Sequence, residues 1–230
     1  MSNDDKAKRI LDTLTGRWEK PLLIKMAKAL PRWVSPDHLT ILGILAGFVI
    51  FAGFVLVRRS PWWVMLSNAG FVIHWWADSL DGTLARVRKH EREKYGYFVD
   101  HICDAFTISL ICVGLGLSPM MHPGFGLGIA IGYLMMNIYA HVLTYVEHVF
   151  KVSYGRFGPT EVRIIFMAGT TLVAFWNPAI FRLFRFRFML GDVIGLAAAS
   201  ILMLVFIISS IQKAFELDKV DKAKWNPPQP

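Results

Sequence analysis

Four aspartates hold most of the chemistry available to this chain. Asp78 and Asp81 lie three residues apart, and Asp100 and Asp104 four apart, within stretches otherwise apolar enough for a bilayer. Either spacing puts the two side chains of a pair on one helix face. An aspartate at the centre of a membrane helix costs about 2.5–3.5 kcal/mol, less toward the interface. Two such charges about 4 Å apart repel by about 4 kcal/mol at an effective dielectric near 20. Packing offers nothing to offset that, so the group calls for shared protons or a cation. Clustered carboxylate oxygens without a thiolate are hard ligands that suit magnesium, manganese or calcium. Magnesium joins a few carboxylates to substrate phosphates, and paired ions clamp a displacement at phosphorus. Gly82 and Ala85 follow Asp78 and Asp81 by one turn each. Small residues there leave either a slot for a flat group or room for close helix packing. Arg86 comes next, with a guanidinium suited to phosphate or carboxylate.

The elements that position these residues are membrane helices. The chain has 230 residues, 54% hydrophobic and 18% charged, and a mean hydropathy of +0.43. Soluble domains carry about 25% charged residues, so the fold class expected is an all-α integral membrane protein. Spanning needs about 20 mostly apolar residues. Six candidate spans are read: Leu39–Val57, Trp62–Leu84, Tyr97–Leu117, Gly124–Phe150, Arg163–Trp176, which is short, and Met189–Ile211. Six spans put both termini on one side. That side collects 20 of the 25 lysines and arginines, and the other side five. By the positive-inside rule both termini, and the acidic pairs near them, are cytoplasmic.

Residues 1–38 read as an amphipathic arm. Leu11, Leu14, Trp18, Leu22, Met26, Leu30 and Trp33 recur at near-helical spacing among Lys and Arg, and Pro21 divides them into two predicted helices. Such an arm lies in the membrane interface or on the protein's own surface, and the two are compatible. Residues 39–212 form the transmembrane catalytic domain and 213–230 a cytoplasmic tail, polar, Pro-ended and expected to be mobile. Gly124, Gly128 and Gly132 permit close helix approach, within the bundle or between copies. Cys103 and Cys112 fall on roughly opposite helix faces of one segment, so no disulfide framework is expected. No cleaved signal peptide is expected either, because the polar, basic start lacks an apolar block with a cleavage site. A net charge of +8 does not indicate nucleic acid, since the basic residues lie between apolar blocks and form no single stripe.

Asp78-x-x-Asp81-Gly82-x-x-Ala85-Arg86, followed by Gly96-x-x-x-Asp100-x-x-x-Asp104, resembles the signature of the CDP-alcohol phosphotransferase family. The nine-residue spacer between Arg86 and Gly96 is at the long end of what that pattern leads one to expect. The resemblance implies two divalent cations, Mg2+ or Mn2+, held by Asp78, Asp81, Asp100 and Asp104 against the diphosphate of a CDP-linked substrate. Gly82, Ala85, Arg86 and Gly96 would then accommodate the cytidine nucleotide, and Asp104 is also a candidate base. Pro36-Asp37-His38-Leu39-Thr40 is similar to the family's upstream segment near the nucleotide, with Asp37 where Asn is usual. Asp100-His101-Ile102-Cys103-Asp104 resembles the version found in choline and ethanolamine phosphotransferases, where the His deprotonates the acceptor hydroxyl with help from a Glu on a later helix. Glu161 stands in the matching position. A neutral imidazole suits general base work; an interfacial histidine and a helix-start carboxylate are the plain alternatives.

The implied activity is transfer of a phosphoalcohol from a CDP-alcohol to a diacylglycerol-like hydroxyl, with release of CMP. Six spans fit equally the small members that move a phosphatidyl group from CDP-diacylglycerol to inositol, inositol phosphate, glycerol phosphate or serine. Homodimers are usual where the resemblance leads, in the lipid bilayer. A cation-coupled transporter would need acids near the midplane and repeated halves with broken spans; these acids hug the cytoplasmic ends, and no half-repeat is visible.

Overall fold

The computed structural model describes residues 16–147, 159–184 and 186–225. Helix α1 spans Gly16–Ala29, α2 Pro36–Leu56, α3 Val64–Val87 after a single 3-10 turn, α4 Glu93–Leu117 and α5 Pro123–Glu147. Helix α6 covers Pro159–Phe175, strands β1 and β2 Ala179–Leu183 and Phe186–Met189, and α7 Leu190–Trp225. By length and composition α2, α4, α5 and the segment Leu190–Lys222 of α7 are able to cross a bilayer. Helices α3 and α6 occupy two further predicted spans. The first carries Asp78, Asp81 and Arg86, and the second is only 17 residues long.

Helix α2 is the hub, with α3 and α4 both packed along it. Its start is set locally. The Ser35 hydroxyl accepts the His38 N–H at 3.3 Å, and His38 Nδ1 accepts the Ser35 N–H at 3.2 Å. Each bond satisfies an amide at a helix start. Small residues let the neighbours approach. A β-carbon at Gly70 would stand 2.7 Å from Ile50 Cγ1, and one at Gly114 3.0 Å from Phe51 Cα. Ile50, Phe54, Val64, Phe71, Ile111 and Leu115 fill the resulting core. A second buried cluster, Leu23, Ala27, Leu39, Leu80 and Leu84, seats α1 against the half of α3 that bears the acids. The Arg88 guanidinium donates to the carbonyls of Leu30 (3.2 Å) and Pro31 (2.8 Å) and to that of Val34, which fastens the α1–α2 link to the end of α3. The glycine series serves the bundle: β-carbons at Gly128 and Gly132 would lie 3.2 Å from Ala199 Cβ and 2.8 Å from Leu202 Cβ on α7.

The described chain is mostly helical, in keeping with an all-α membrane protein. It adds one short hairpin, in which β1 and β2 pair antiparallel with Phe181 opposite Phe188 and Arg182 opposite Arg187. Here Phe and Arg alternate with the period of two that favours a strand. Part of the predicted tail is helical: α7 runs to Trp225, with Lys222–Asp218 (2.7 Å) and Lys213–Glu216 (2.9 Å) pairs along it and Lys213 on Glu147 of α5. Helix α1 also passes through Pro21 unbroken, since one missing amide so near a helix start forfeits a single bond. The earlier part of the arm, with Leu11 and Leu14, and the predicted span's end at Phe150 lie outside the described residues. Cys103 and Cys112 are both free thiols.

Candidate active site

The carboxylates of α3 and α4 meet across the space between those helices. Asp78, Asp100 and Asp104 each offer an oxygen within 4.8 Å of the others, and all three are partly buried. Oxygens about 2.1 Å from a magnesium ion stand about 3–4 Å apart. Three hard donors gathered this closely therefore fit one such ion, with room for phosphate oxygens or water to complete its sphere. The fourth aspartate is held differently. Asp81 Oδ2 accepts from Thr40 Oγ1 at 2.9 Å, and Oδ1 from the Gly82 N–H. Thr40 also donates to Pro36 O at 3.2 Å, so the upstream segment touches the acidic group directly. Asp37 pairs with Arg92 in the long spacer before α4, and Arg92 lies 4.1 Å over the Tyr95 ring.

Space beside the acids is real. The nearest neighbour of a β-carbon at Gly82 would be the Arg86 guanidinium, 3.4 Å away at Nη1, and one at Gly96 would meet nothing within 4 Å. Glycines that serve helix packing in this protein face a neighbouring helix, as Gly70, Gly114 and Gly132 do. The nearest atoms to Gly82 belong to a flexible side chain of its own helix, and Gly96 has no neighbour within 4 Å. Arg86 folds back over Gly82, with Nη2 on Thr83 Oγ1 at 3.1 Å. Ala85 lies one turn further on the same helix, partly exposed.

Helix α6 brings a cation to the group. Arg163 Nη2 stands 3.5 Å from Asp78 Oδ2, with its side chain mostly buried. Glu161 sits in the first turn of α6, two residues before it. Thr160 donates to Glu19 Oε2 at 3.1 Å, and Trp75 Nε1 to Glu19 Oε1 at 3.0 Å, so α1 ties α3 to α6 above the acids. His101 Nδ1 is 3.3 Å from Asp100 Oδ2. Its ring lies 4.2 Å from that of Tyr97 and 4.5 Å from that of His141 on α5, and Tyr97 Oη is 2.9 Å from His141 Nδ1. From the sequence, His141 reads as an interfacial or packed residue, and Arg163 equally as a phosphate or lipid-headgroup contact or as ordinary positive-inside charge. The four-residue step from Tyr97 to His101 signals a shared face, whereas nothing local links either to His141.

The helical bundle thus gathers hard oxygen donors beside an open position at Gly82. Residues 33–205 match the CDP-alcohol phosphatidyltransferase family, and the chain belongs to it. The chain is 31% identical over 166 residues to cholinephosphotransferase 1 of Danio rerio, covering 65% of this chain and 41% of that one. It is 24% identical over 176 residues to cholinephosphotransferase 1 of Gallus gallus, covering 73% and 52%. The chain thus spans about half the length of the curated relatives it matches.

Proposed function

We propose that the protein synthesises phospholipid by moving a phosphoalcohol of the choline or ethanolamine type from its CDP ester to the hydroxyl of a diacylglycerol-like lipid. The observation that carries this reading is the convergence of Asp78, Asp100 and Asp104 from two helices beside an open position at Gly82. The likeness to proteins named as cholinephosphotransferases supports the choice of alcohol. In this reading Asp78, Asp81, Asp100 and Asp104 serve two divalent cations, Mg2+ or Mn2+. When bound, such ions neutralise the diphosphate and make its distal phosphorus electrophilic. Asp81, fixed by Thr40 and Gly82, orients the near side of the site. Gly82, Ala85 and Gly96 leave room for cytidine, and Arg86 meets its phosphate. Asp37 and Thr40, at the start of α2, complete the nucleotide's surroundings.

The acceptor oxygen forms a bond to the phosphorus distal to cytidine. The bond from that phosphorus to the bridging oxygen breaks, and CMP leaves with the electron pair. The acceptor proton passes to His101, with Glu161 assisting, or to Asp104. Six helices, α2 to α7, cross the membrane with the site and both termini on the cytoplasmic side, preceded by the arm of residues 1–38 and followed by the segment 213–230. A homodimer is the assembly the family resemblance implies.

The test supplies purified protein with CDP-choline, CDP-ethanolamine or CDP-diacylglycerol and the matching acceptors, and identifies the lipid product by mass. Phosphatidylcholine or phosphatidylethanolamine formed only with magnesium or manganese is the expected outcome. Product from CDP-diacylglycerol alone reverses the donor assignment. Activity surviving in Asp100→Asn, or in excess chelator, ends the metal-centred reading.

A further inference from the structure

We propose that the β1–β2 hairpin docks the phosphate of an anionic phospholipid, in the leaflet opposite the carboxylate cluster. This rests on the six-span reading of the bundle and does not depend on the transferase reading. Helix α6 starts beside Asp78 through Arg163 and runs away from it, so the hairpin that follows stands at the far end of the bundle. Exposed Trp62 and Trp176 occupy the same end, as aromatic residues do at a membrane–water interface.

The strand period of two divides the hairpin into unlike faces. Phe181 and Phe188 stack on one, with ring centroids 4.5 Å apart, and Phe186 and Phe188 reach Phe125 of α5. On the other face Arg182 stands directly across from Arg187. Like charges in a cross-strand pair are destabilising, so this pair calls for an anion. An open depression of about 350 Å³ runs along the strands, lined by Arg182 and Arg187 with Ala179, Ile180 and Phe181. Only five of the 25 lysines and arginines are expected on this side, and Arg182, Arg185 and Arg187 are three of them. Arg185 itself lies outside the described residues. Positive charge is depleted on that side of a membrane, and its concentration in one hairpin needs a specific partner. Phe184 at the tip is 91% exposed, with φ of 52°, a region a bulky residue enters only at a cost. In an interface the ring enters the acyl layer while guanidinium forks grip phosphate above it.

The test is native mass spectrometry of the full chain in mild detergent, with phosphatidylglycerol, phosphatidylcholine or inorganic phosphate added. Wild type and Arg59→Gln, which removes another cation of the same side, should retain phosphatidylglycerol equally. Arg182→Gln/Arg187→Gln should lose about tenfold or more of it, the loss of charge-assisted contacts, and Arg182→Lys/Arg187→Lys should keep part. Arg187→Gln alone guards against misfolding, because it spares the 3.3 Å bond from Arg182 Nε to Phe184 O. Undiminished retention in that variant overturns the proposal. So does equal retention of phosphatidylcholine, or displacement of the lipid by inorganic phosphate, which would mark a free-anion site.

Discussion

Alanine at position 82 separates the two uses of glycine in this bundle. A β-carbon there has as its three nearest neighbours atoms of the Arg86 guanidinium, at 3.4 Å, 3.7 Å and 3.9 Å. That is ordinary contact with the end of a flexible side chain, so folding meets no clash. Replacing a helical glycine with alanine gains about 0.5–1 kcal/mol. For a chain of this size the gain raises Tm by roughly 1–4 °C. Activity moves the other way. The methyl fills the slot proposed for the nucleotide, and a displacement of about 1 Å at a reacting centre costs up to about 100-fold. Gly70→Ala is the matched control on the same helix. Its β-carbon would fall 2.7 Å from Ile50 Cγ1 and 3.0 Å from Ile50 N, and such overpacking costs about 1–3 kcal/mol. The assay pairs CMP release with thermal unfolding followed by tryptophan fluorescence. Gly82→Ala should unfold later and turn over at least about tenfold more slowly, while Gly70→Ala should unfold earlier. A Gly82→Ala protein with full kcat/KM, or with a lowered Tm, refutes the slot.

Three further outcomes follow from individual contacts. Thr40→Val removes the hydroxyl 2.9 Å from Asp81; the magnesium concentration for half-maximal activity should rise about 10–100-fold, as for other residues that orient a ligand, and an unchanged magnesium titration argues against the role given to Thr40. His101→Ala should cut kcat by about 100-fold or more if the imidazole is the base, and undiminished turnover hands that role to Asp104. Asp192→Ala strands the His122 and Met189 amides, bonded to the carboxylate at 2.6 Å and 3.0 Å, at about 1–3 kcal/mol each. Its Tm should fall by several degrees with KM unchanged, and a Tm equal to wild type contradicts that bracing.

The acid pairs, the small residues beside them and the position of each long helix were legible because each depends on spacing within one segment. Asp100 and Asp104 share a face, as their four-residue step leads one to expect, and meet Asp78 across the gap from α3. What escaped depends on contacts between distant segments. Asp81 finds Thr40 forty-one positions away, and Arg163 reaches Asp78 across eighty-five. The hairpin escaped for another reason. Its strands are five and four residues long, too short for alternation to stand out between apolar helices. The continuation of α7 was hidden by composition, since its polar end relies on salt links between neighbouring turns and with α5.

The element that sets the site's dimensions holds none of the clustered acids. Helix α2 presents Gly43 to Ala77, where a β-carbon would stand 3.9 Å away, and Gly47 to Thr107, where it would stand 3.1 Å away. Ala77 precedes Asp78, and Thr107 lies one turn beyond Asp104, so each acid-bearing helix is referenced to the same glycine face. The first turn of α2 adds two polar links, Thr40 to Asp81 and Asp37 to Arg92. With α3 and α4 leaning on α2, the gap between them is a difference of two packing distances and not a contact that could close. Three carboxylates can then stand near one another without filling the space that a cation and a diphosphate need. A larger side chain at Gly47 would push α4 alone and spread Asp100 and Asp104 from Asp78, whereas one at Gly43 would move Asp78 and Asp81 together. The two substitutions should therefore damage magnesium dependence in different ways, although neither residue bears an acid.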